Sequence, residues 1–254
     1  MNADALTPEY FADNPARDAR FEVKERWIEC PNLSGEHPQH QLEFFQRQMN
    51  EEVNSIESSA RCLTDFPEAD WELRLEFARQ CADEARHAVM FREILESRGG
   101  HVGQFPVLNF QYRIITKCPT LVGRLTIQNR SFEAGGIDAI TFGISAAKAE
   151  GDFVLAELYE AQLADEISHV RFANHWIRRF IAENRRCLLD IGAALTHASK
   201  AFLEVMGKEG TEGVTYPVDV TSRLDAGFTL NEIELDDLIL ATHPTAAASQ
   251  PVPS

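Results

Sequence analysis

Asp83-Glu84-Ala85-Arg86-His87 decides how the chain is read, because its core, a glutamate followed three residues later by a histidine, returns at Glu166-Ile167-Ser168-His169. Helical residues three apart lie on one face, one turn from each other, so each pair offers a carboxylate and an imidazole in the same direction. A lone Glu-x-x-His arises by chance about once in a chain of this composition. Here each pair has a further glutamate upstream at nearly the same distance, Glu52 before Glu84 and Glu133 before Glu166, so the sequence divides into two half-sites.

Working outward, Leu42, Phe45, Met49, Val53, Ile56 and Ala60 recur at steps of three and four and predict an amphipathic helix over about residues 41–63, ended by Thr64-Asp65-Phe66-Pro67. A second helix opens near Pro67-Glu68-Ala69-Asp70, with acids in its first turn to suit the dipole, and stops at Gly99-Gly100. Residues 101–112, with a proline and β-favouring side chains, read as a loop crossing the bundle. A third helix covers about 121–149. The Gly135-Gly136 pair inside it costs about 2 kcal/mol of helix propensity against alanine. Close approach of another backbone or of substrate beside Glu133 would offset that cost; the other reading is a kink without functional meaning. Gly151-Asp152 separates a fourth helix over about 153–181, and a fifth, apolar on one side, spans about 185–206.

Prolines at 8, 15, 31 and 38 and the aromatics Tyr10, Phe11, Phe21 and Trp27 make residues 1–38 an extended arm packed on the body, with one short amphipathic candidate from Phe21 to Trp27. Beyond Gly207 the chain reads as irregular apart from a short helix near 230–240, and the Ala-, Pro- and Ser-rich tail from about 241 as disordered. The expected architecture is all-α: a helical bundle over 39–206 with an N-terminal arm, an additional C-terminal helix and an extension over 207–254.

At 254 residues and 44% hydrophobic composition the chain can bury one large core. Its formal charge of −16 repels phosphate backbones and anionic membranes, which counts against nucleic acid as a partner. Cysteines at 30, 62, 81, 118 and 187 are odd in number, widely spaced and without Cys-x-x-Cys, which indicates reduced thiols rather than a disulfide framework or zinc knuckle. Residues 1–20 lack the apolar run of a signal peptide, and no stretch approaches the ~18 apolar residues of a membrane span. A cytoplasmic protein off the membrane is expected.

In an antiparallel helix pair, residues equally far from the turn stand at equal height. Glu52 lies about 11 residues before Leu63 and Glu84 about 13 after Trp71, so they come level within about one helical pitch. Glu133 and Glu166 do the same around Gly151. Two such hairpins converge Glu52, Glu84, His87, Glu133, Glu166 and His169. One glutamate from each of two helices and a Glu-x-x-His from each of two others is the ligand set of carboxylate-bridged di-iron bundles. Hard carboxylates with two imidazoles suit iron or manganese. Six ionisable groups in a core are costly alone. Two divalent ions balance four carboxylates, whereas metal-free carboxylates so close would have to take up protons.

Glu51 and Glu57 are the rivals of Glu52; Glu51 points about 100° away from it, and Glu57 shortens the spacing to Glu84. Asp83 and Asp165, each just before a half-site glutamate, are placed either to accept from the second ring nitrogen of a histidine on the opposite hairpin or to be plain surface acids. Arg86 reads as an ion-pair partner of a carboxylate and His175 as a hydrogen-bonded bundle histidine. His37, His40, His101, His197 and His243 read as surface or loop residues. Phe45, Gln48, Met49, Ser55, Cys81, Phe91, Asn129, Gln162 and Phe172 lie one turn from the ligands and either line a substrate cavity or are core.

Over about residues 40–182 the chain resembles the ferritin-like superfamily of di-iron carboxylate proteins. Asp83-Glu84-Ala85-Arg86-His87 is similar to the Asp-Glu-x-Arg-His of bacterial multicomponent monooxygenases. With Glu52-Val-Asn-Ser-Ile-Glu57, Phe132-Glu-Ala-Gly-Gly136 and Asp165-Glu-Ile-Ser-His169 it looks most like a largely uncharacterised bacterial ferritin-like branch. The resemblance implies a ferritin-like four-helix bundle holding two iron ions, or iron with manganese. It also implies that Glu84 and Glu166 bridge, that Glu52 and His87 serve one metal, and that Glu133 and His169 serve the other. Where the p-aminobenzoate N-oxygenase type has an extra histidine ligand, this chain has Gln162, so no seventh ligand is implied. Ser168 replaces the counterpart of Arg86, so the two metals need not be equivalent.

The implied function is that of a non-haem di-iron oxidoreductase, a dioxygen-dependent oxidase or monooxygenase. Dioxygen is its co-substrate, an external donor supplies electrons, and a small organic substrate undergoes hydroxylation, N-oxygenation or desaturation; a homodimer is compatible with this. The arm, the 101–120 crossover and the 207–240 extension would hamper a storage shell and could roof a pocket. The alternatives are a ferroxidase or peroxide-handling protein and, disfavoured by the charge, a tRNA hydroxylase.

Overall fold

The computed structural model describes residues 19–211 and 216–234. The described residues form an all-α helical bundle with one two-residue β pair. Tyr10, Phe11, His243 and the tail from 241 lie outside them.

Val23–Lys24 (β1) pairs in parallel with Val107–Leu108 (β2), Val23 opposite Val107 and Lys24 opposite Leu108. The expected amphipathic segment from Phe21 to Trp27 is therefore extended backbone followed by a 3-10 turn, Trp27–Glu29. Glu25 forms an ion pair with the buried Arg113, so this part of the arm is fastened to the body.

Helix α1 (His40–Asp65) and helix α2 (Trp71–Ser97) make the first long hairpin. The loop expected over 101–112 gives way at its end to helix α3 (Phe110–Lys117). Its Tyr112, Ile114 and Ile115 are buried, so packing rather than periodicity holds this eight-residue helix, and the β-favouring side chains misled the local reading.

The second hairpin begins with α4 (Leu121–Ile127), continues through a π-helical turn at Gln128–Glu133 into α5 (Ala134–Glu150), and returns along α6 (Phe153–Glu183). Gly151, at φ 75°, takes the left-handed conformation that ends α5, and the Asp152 side chain caps α6 by accepting from the Leu155 amide at 3.2 Å. Helix α7 (Cys187–Thr211) packs against α3 and α4 and breaks at Gly207, φ 64°. Val220–Asp225 forms α8, which the sequence did not suggest, and a further helix starts at Leu230.

Two apolar clusters divide the bundle along its axis. One gathers Cys62, Phe77, Leu125 and Trp176 where α1 ends and α2 begins. The other gathers Phe45, Met49, Phe91 and Tyr159 near the opposite ends of those helices. Between them, at the middle of each long helix, the interior turns polar. Among the described residues no helix is long and apolar enough to cross a membrane.

Candidate metal centre

Helix α1 supplies Glu52, α2 supplies Glu84 and His87, the π turn supplies Glu133, and α6 supplies Glu166 and His169. All six are buried. They form two overlapping groups, Glu52-Glu84-His87-Glu166 and Glu84-Glu133-Glu166-His169; in each, one donor atom per residue lies within 4.8 Å of the others. Glu84 and Glu166 belong to both groups. Glu51 and Glu57 belong to neither. The two imidazole centroids are 6.4 Å apart.

The π turn explains how Glu133 is held. A wider helical turn lets two sequence neighbours reach one carboxylate: Asn129 Nδ2 donates to Glu133 Oε2 at 2.8 Å and Gln128 Nε2 to Oε1 at 3.5 Å. Gln80, one turn before Glu84, donates to Glu84 Oε1 at 3.2 Å and also to Glu133, and accepts from Asn129 at 3.1 Å. Gln162 donates to Glu52 Oε1 at 2.9 Å. Gln80 and Gln128 were not singled out by the sequence. Gln80 could have been found by its helical spacing to Glu84, whereas Gln128 is placed by a bulge that no local pattern announces.

Each histidine is oriented from the opposite hairpin. His87 Nε2 faces Asp165 Oδ2 at 3.2 Å, and His169 Nε2 faces Asp83 Oδ2 at 3.2 Å. Arg86 joins the two, donating to Asp83 Oδ1 at 3.2 Å and to Asp165. The Nδ1 atoms therefore face inward: that of His87 lies 3.1 Å from Glu84 and 3.5 Å from Glu52, that of His169 3.5 Å from Glu84 and 3.8 Å from Glu166.

The electrostatics are those of a site short of positive charge. Burial, and then the neighbouring Glu166, pushes the Glu84 carboxyl up to about 8. Glu133 is raised well above the carboxylate range by burial and by Glu166, and burial also raises Glu52. Burial opposes charge on His87, yet hydrogen bonds with Glu52 and Glu84 hold it up at about 11. For His169, burial is likewise outweighed, by Asp83 and Glu166. His169 draws Asp83 below its ordinary value.

These residues fit a pair of cations. Glu166 Oε2 and His169 Nδ1 are buried and lack a hydrogen-bond partner, a costly condition that a coordinated ion removes. The donor set is carboxylate and imidazole throughout, with the outer histidine nitrogens tied to aspartates as in metal sites generally.

A pocket of about 100 Å³ opens beside Glu52, Glu133 and Glu166 and reaches half-buried Gln48, Glu51 and Gln111. Of the cavity candidates, Gln48, Ser55 and Gln162 line it. Phe45, Met49, Phe91 and Phe172 belong to the apolar clusters, Cys81 faces the Ile56 carbonyl at 3.5 Å, and Asn129 holds Glu133. Gln111 and Ile115 enter the lining from α3, a helix that the sequence does not announce. Gly136 also lines the pocket, and a Cβ added at either Gly135 or Gly136 would meet nothing within 4 Å, so no second backbone packs there. His175 is exposed with its ring edge-on to Trp176, and His197 is half-buried, its Nε2 3.2 Å from the Ile114 carbonyl.

Fold and site define a class: an all-α bundle built around a buried carboxylate–histidine core able to hold metal. Within that class the chain belongs to the family described as "Protein of unknown function (DUF455)", which matches residues 2–234. It is similar to an uncharacterised protein of Haemophilus influenzae, 25% identical over 160 residues, with 63% of this chain and 52% of that protein covered. The chain thus spans about half the length of the curated relative it matches. No solved structure matches.

Proposed function

We propose that the centre holds two metal ions, iron or iron with manganese, and that the protein is a ferritin-like oxidoreductase using dioxygen and an external electron donor to oxidise a small organic substrate. The observation that carries this reading is the overlap of the two ligand groups at Glu84 and Glu166, with a pocket beside them. Bound ions would supply two-electron activation of dioxygen.

The chain's own residues have separate tasks in this scheme. Glu84 and Glu166, common to both groups, would hold both ions, with Glu52 and His87 serving one and Glu133 and His169 the other. Asp165 and Asp83 fix the imidazoles with Nδ1 inward, and Arg86 holds the aspartates together. Gln80 and Asn129 aim Glu133, while the two apolar clusters keep bulk water from the reacting groups.

A ferroxidase would use the same ligands; the pocket favours an organic substrate instead. Anaerobic ferrous reconstitution followed by iron analysis and gel filtration tests the proposal. Two tightly bound ions per chain in a small assembly are expected. Fewer than one ion per chain, or a large shell holding many irons per chain, overturns it.

A further inference from the structure

The pocket wall has a chemical bias. Gln162 donates its Nε2 to the Glu52 carboxylate at 2.9 Å, and Gln128 donates its Nε2 to Ser59 Oγ at 2.9 Å and towards the Ser55 carbonyl and the Glu133 carboxylate, both at 3.5 Å. Carboxylates and carbonyls only accept, so the NH2 ends of both amides are fixed and their oxygens are turned elsewhere. Both oxygens, Gln128 Oε1 and Gln162 Oε1, are buried without a donor, on side chains 2% and 4% exposed that line the pocket. A buried acceptor left unmatched costs about 1–3 kcal/mol, which an N–H donor brought within reach of either oxygen would recover.

Charge points the same way. Half-buried Glu51 lines the pocket, its Oε2 accepting from Gln48 Nε2 at 3.2 Å and its Oε1 4.0 Å from Arg47 Nη1, and no lysine, arginine or histidine is among the lining residues. No lining side chain offers an anionic ligand a counter-charge. Ile115, Phe132 and Ile140 give the wall an apolar part, beside polar Gln48, Ser55 and Gln111. A dry cavity of ~150 Å³ accepts a benzene ring, so a pocket of about 100 Å³ suits the reacting end of a molecule smaller than that.

We propose that this pocket takes a small primary aliphatic amine as its ammonium ion, the N–H groups meeting the Gln128 and Gln162 oxygens and the Glu51 carboxylate, the methylenes lying on Ile115, Phe132 and Ile140. The assignment names a substrate class for the proposed oxidase, and it rests on that reading for treating the pocket as a substrate site.

The test is an anaerobic titration of the ferrous-loaded full chain, by calorimetry and ligand-observed NMR, with n-butylamine hydrochloride, n-butanol and sodium butyrate. These probes are alike in size and differ in charge and donors. Butylammonium is expected to bind about tenfold or more tightly than butyrate or butanol, and Glu51→Gln or Gln128→Leu to remove most of that preference. Glu51 is half-buried, so E51Q tests the charge without disturbing the core. Butyrate or butanol binding as well as butylammonium, or a preference untouched in both variants, overturns the assignment. Iron counted on the same sample separates the two readings. Two irons with no amine preference sinks the pocket assignment alone; a variant-sensitive preference in a chain that holds no iron sinks the oxidase and leaves the pocket standing.

Discussion

Asp165 on α6 faces His87 Nε2 on α2 across 3.2 Å, and Asp83 on α2 returns the contact to His169 on α6 at the same distance. Each hairpin thus orients the imidazole of the other, and Arg86 ties the aspartates together at the surface. A carboxylate behind a ligating imidazole fixes its tautomer and raises its basicity. Asp165→Asn or Asp83→Asn keeps the shape and removes the charge, and is expected to weaken metal binding about 10–100-fold. Competition with a chelator of known affinity reads this directly. An unchanged dissociation constant would mean that the aspartates merely fasten helices.

The metal-free protein should lose stability as pH rises. Glu84 is up at about 8 in the folded chain against an ordinary 4.5, and His87 at about 11 against 6.5. Between each pair of values the folded state keeps a proton that the unfolded state has released, so stability declines as pH climbs through that window. Asp83, lowered by His169, acts in the opposite sense, and its contribution disappears as pH falls below 3.8. Metal bound by these groups would replace those protons, so loading should release them and tighten with pH. Thermal melts of chelated and metal-loaded protein from about pH 5 to about pH 9 check this. A downward trend is expected for the chelated form only, and a flat chelated profile would show that the carboxylates find another counter-charge.

Helix spacing made the hairpins legible: the apolar repeat from Leu42 to Ala60 and the glycine stop at Gly99-Gly100 place α1 and α2 within a few residues of where they lie. The convergence of the six acidic and imidazole side chains was legible in two ways: Glu84 with His87 and Glu166 with His169 stand three apart on one helix face, and Glu52 and Glu133 are placed by their distances from the turns. What escaped was what regular periodicity does not encode. The π turn lets both Gln128 and Asn129 reach Glu133, and a widened turn leaves no mark in apolar spacing. Helix α3 is eight residues long and is kept by burial of Tyr112, Ile114 and Ile115. Two side chains of the pocket, Gln111 and Ile115, come from it and were lost with it.

The segment 216–234 is fastened by a buried charge pair. Arg223 Nη2 meets Asp138 Oδ2 on α5 at 2.6 Å, and Asp138 Oδ1 also accepts from the Asp219 amide at 3.0 Å. Removing one member strands the other charge, at a cost of about 3–5 kcal/mol. Asp138→Ala is therefore expected to lower the melting temperature strongly and to raise hydrogen exchange in 216–234 before the long helices respond. Arg223→Met with Asp138→Leu should recover most of the loss, because a well-packed apolar pair can replace a buried ion pair. A single variant that melts like the unaltered protein would show that the pair lies in water in solution.

Gly135 and Gly136 offer a paired comparison, because neighbouring substitutions meet the same helix and different surroundings. Neither glycine has a strained φ, and a Cβ at either would meet nothing within 4 Å. Glycine in a helix interior costs about 1 kcal/mol against alanine, so Gly135→Ala and Gly136→Ala should each stabilise by about that amount, a rise of about 2–4 °C in Tm for a chain of this size. They part at the pocket. Gly135 is exposed and outside it, whereas Gly136 is half-buried in its wall. G135A is expected to leave n-butylammonium binding unchanged, and G136A to weaken it, since the new methyl takes space from a cavity of about 100 Å³. Equal stabilisation with unequal binding would locate ligand against the helix beside Glu133. Equal binding in both would place ligand elsewhere and leave the glycine pair as no more than a weak point in the helix.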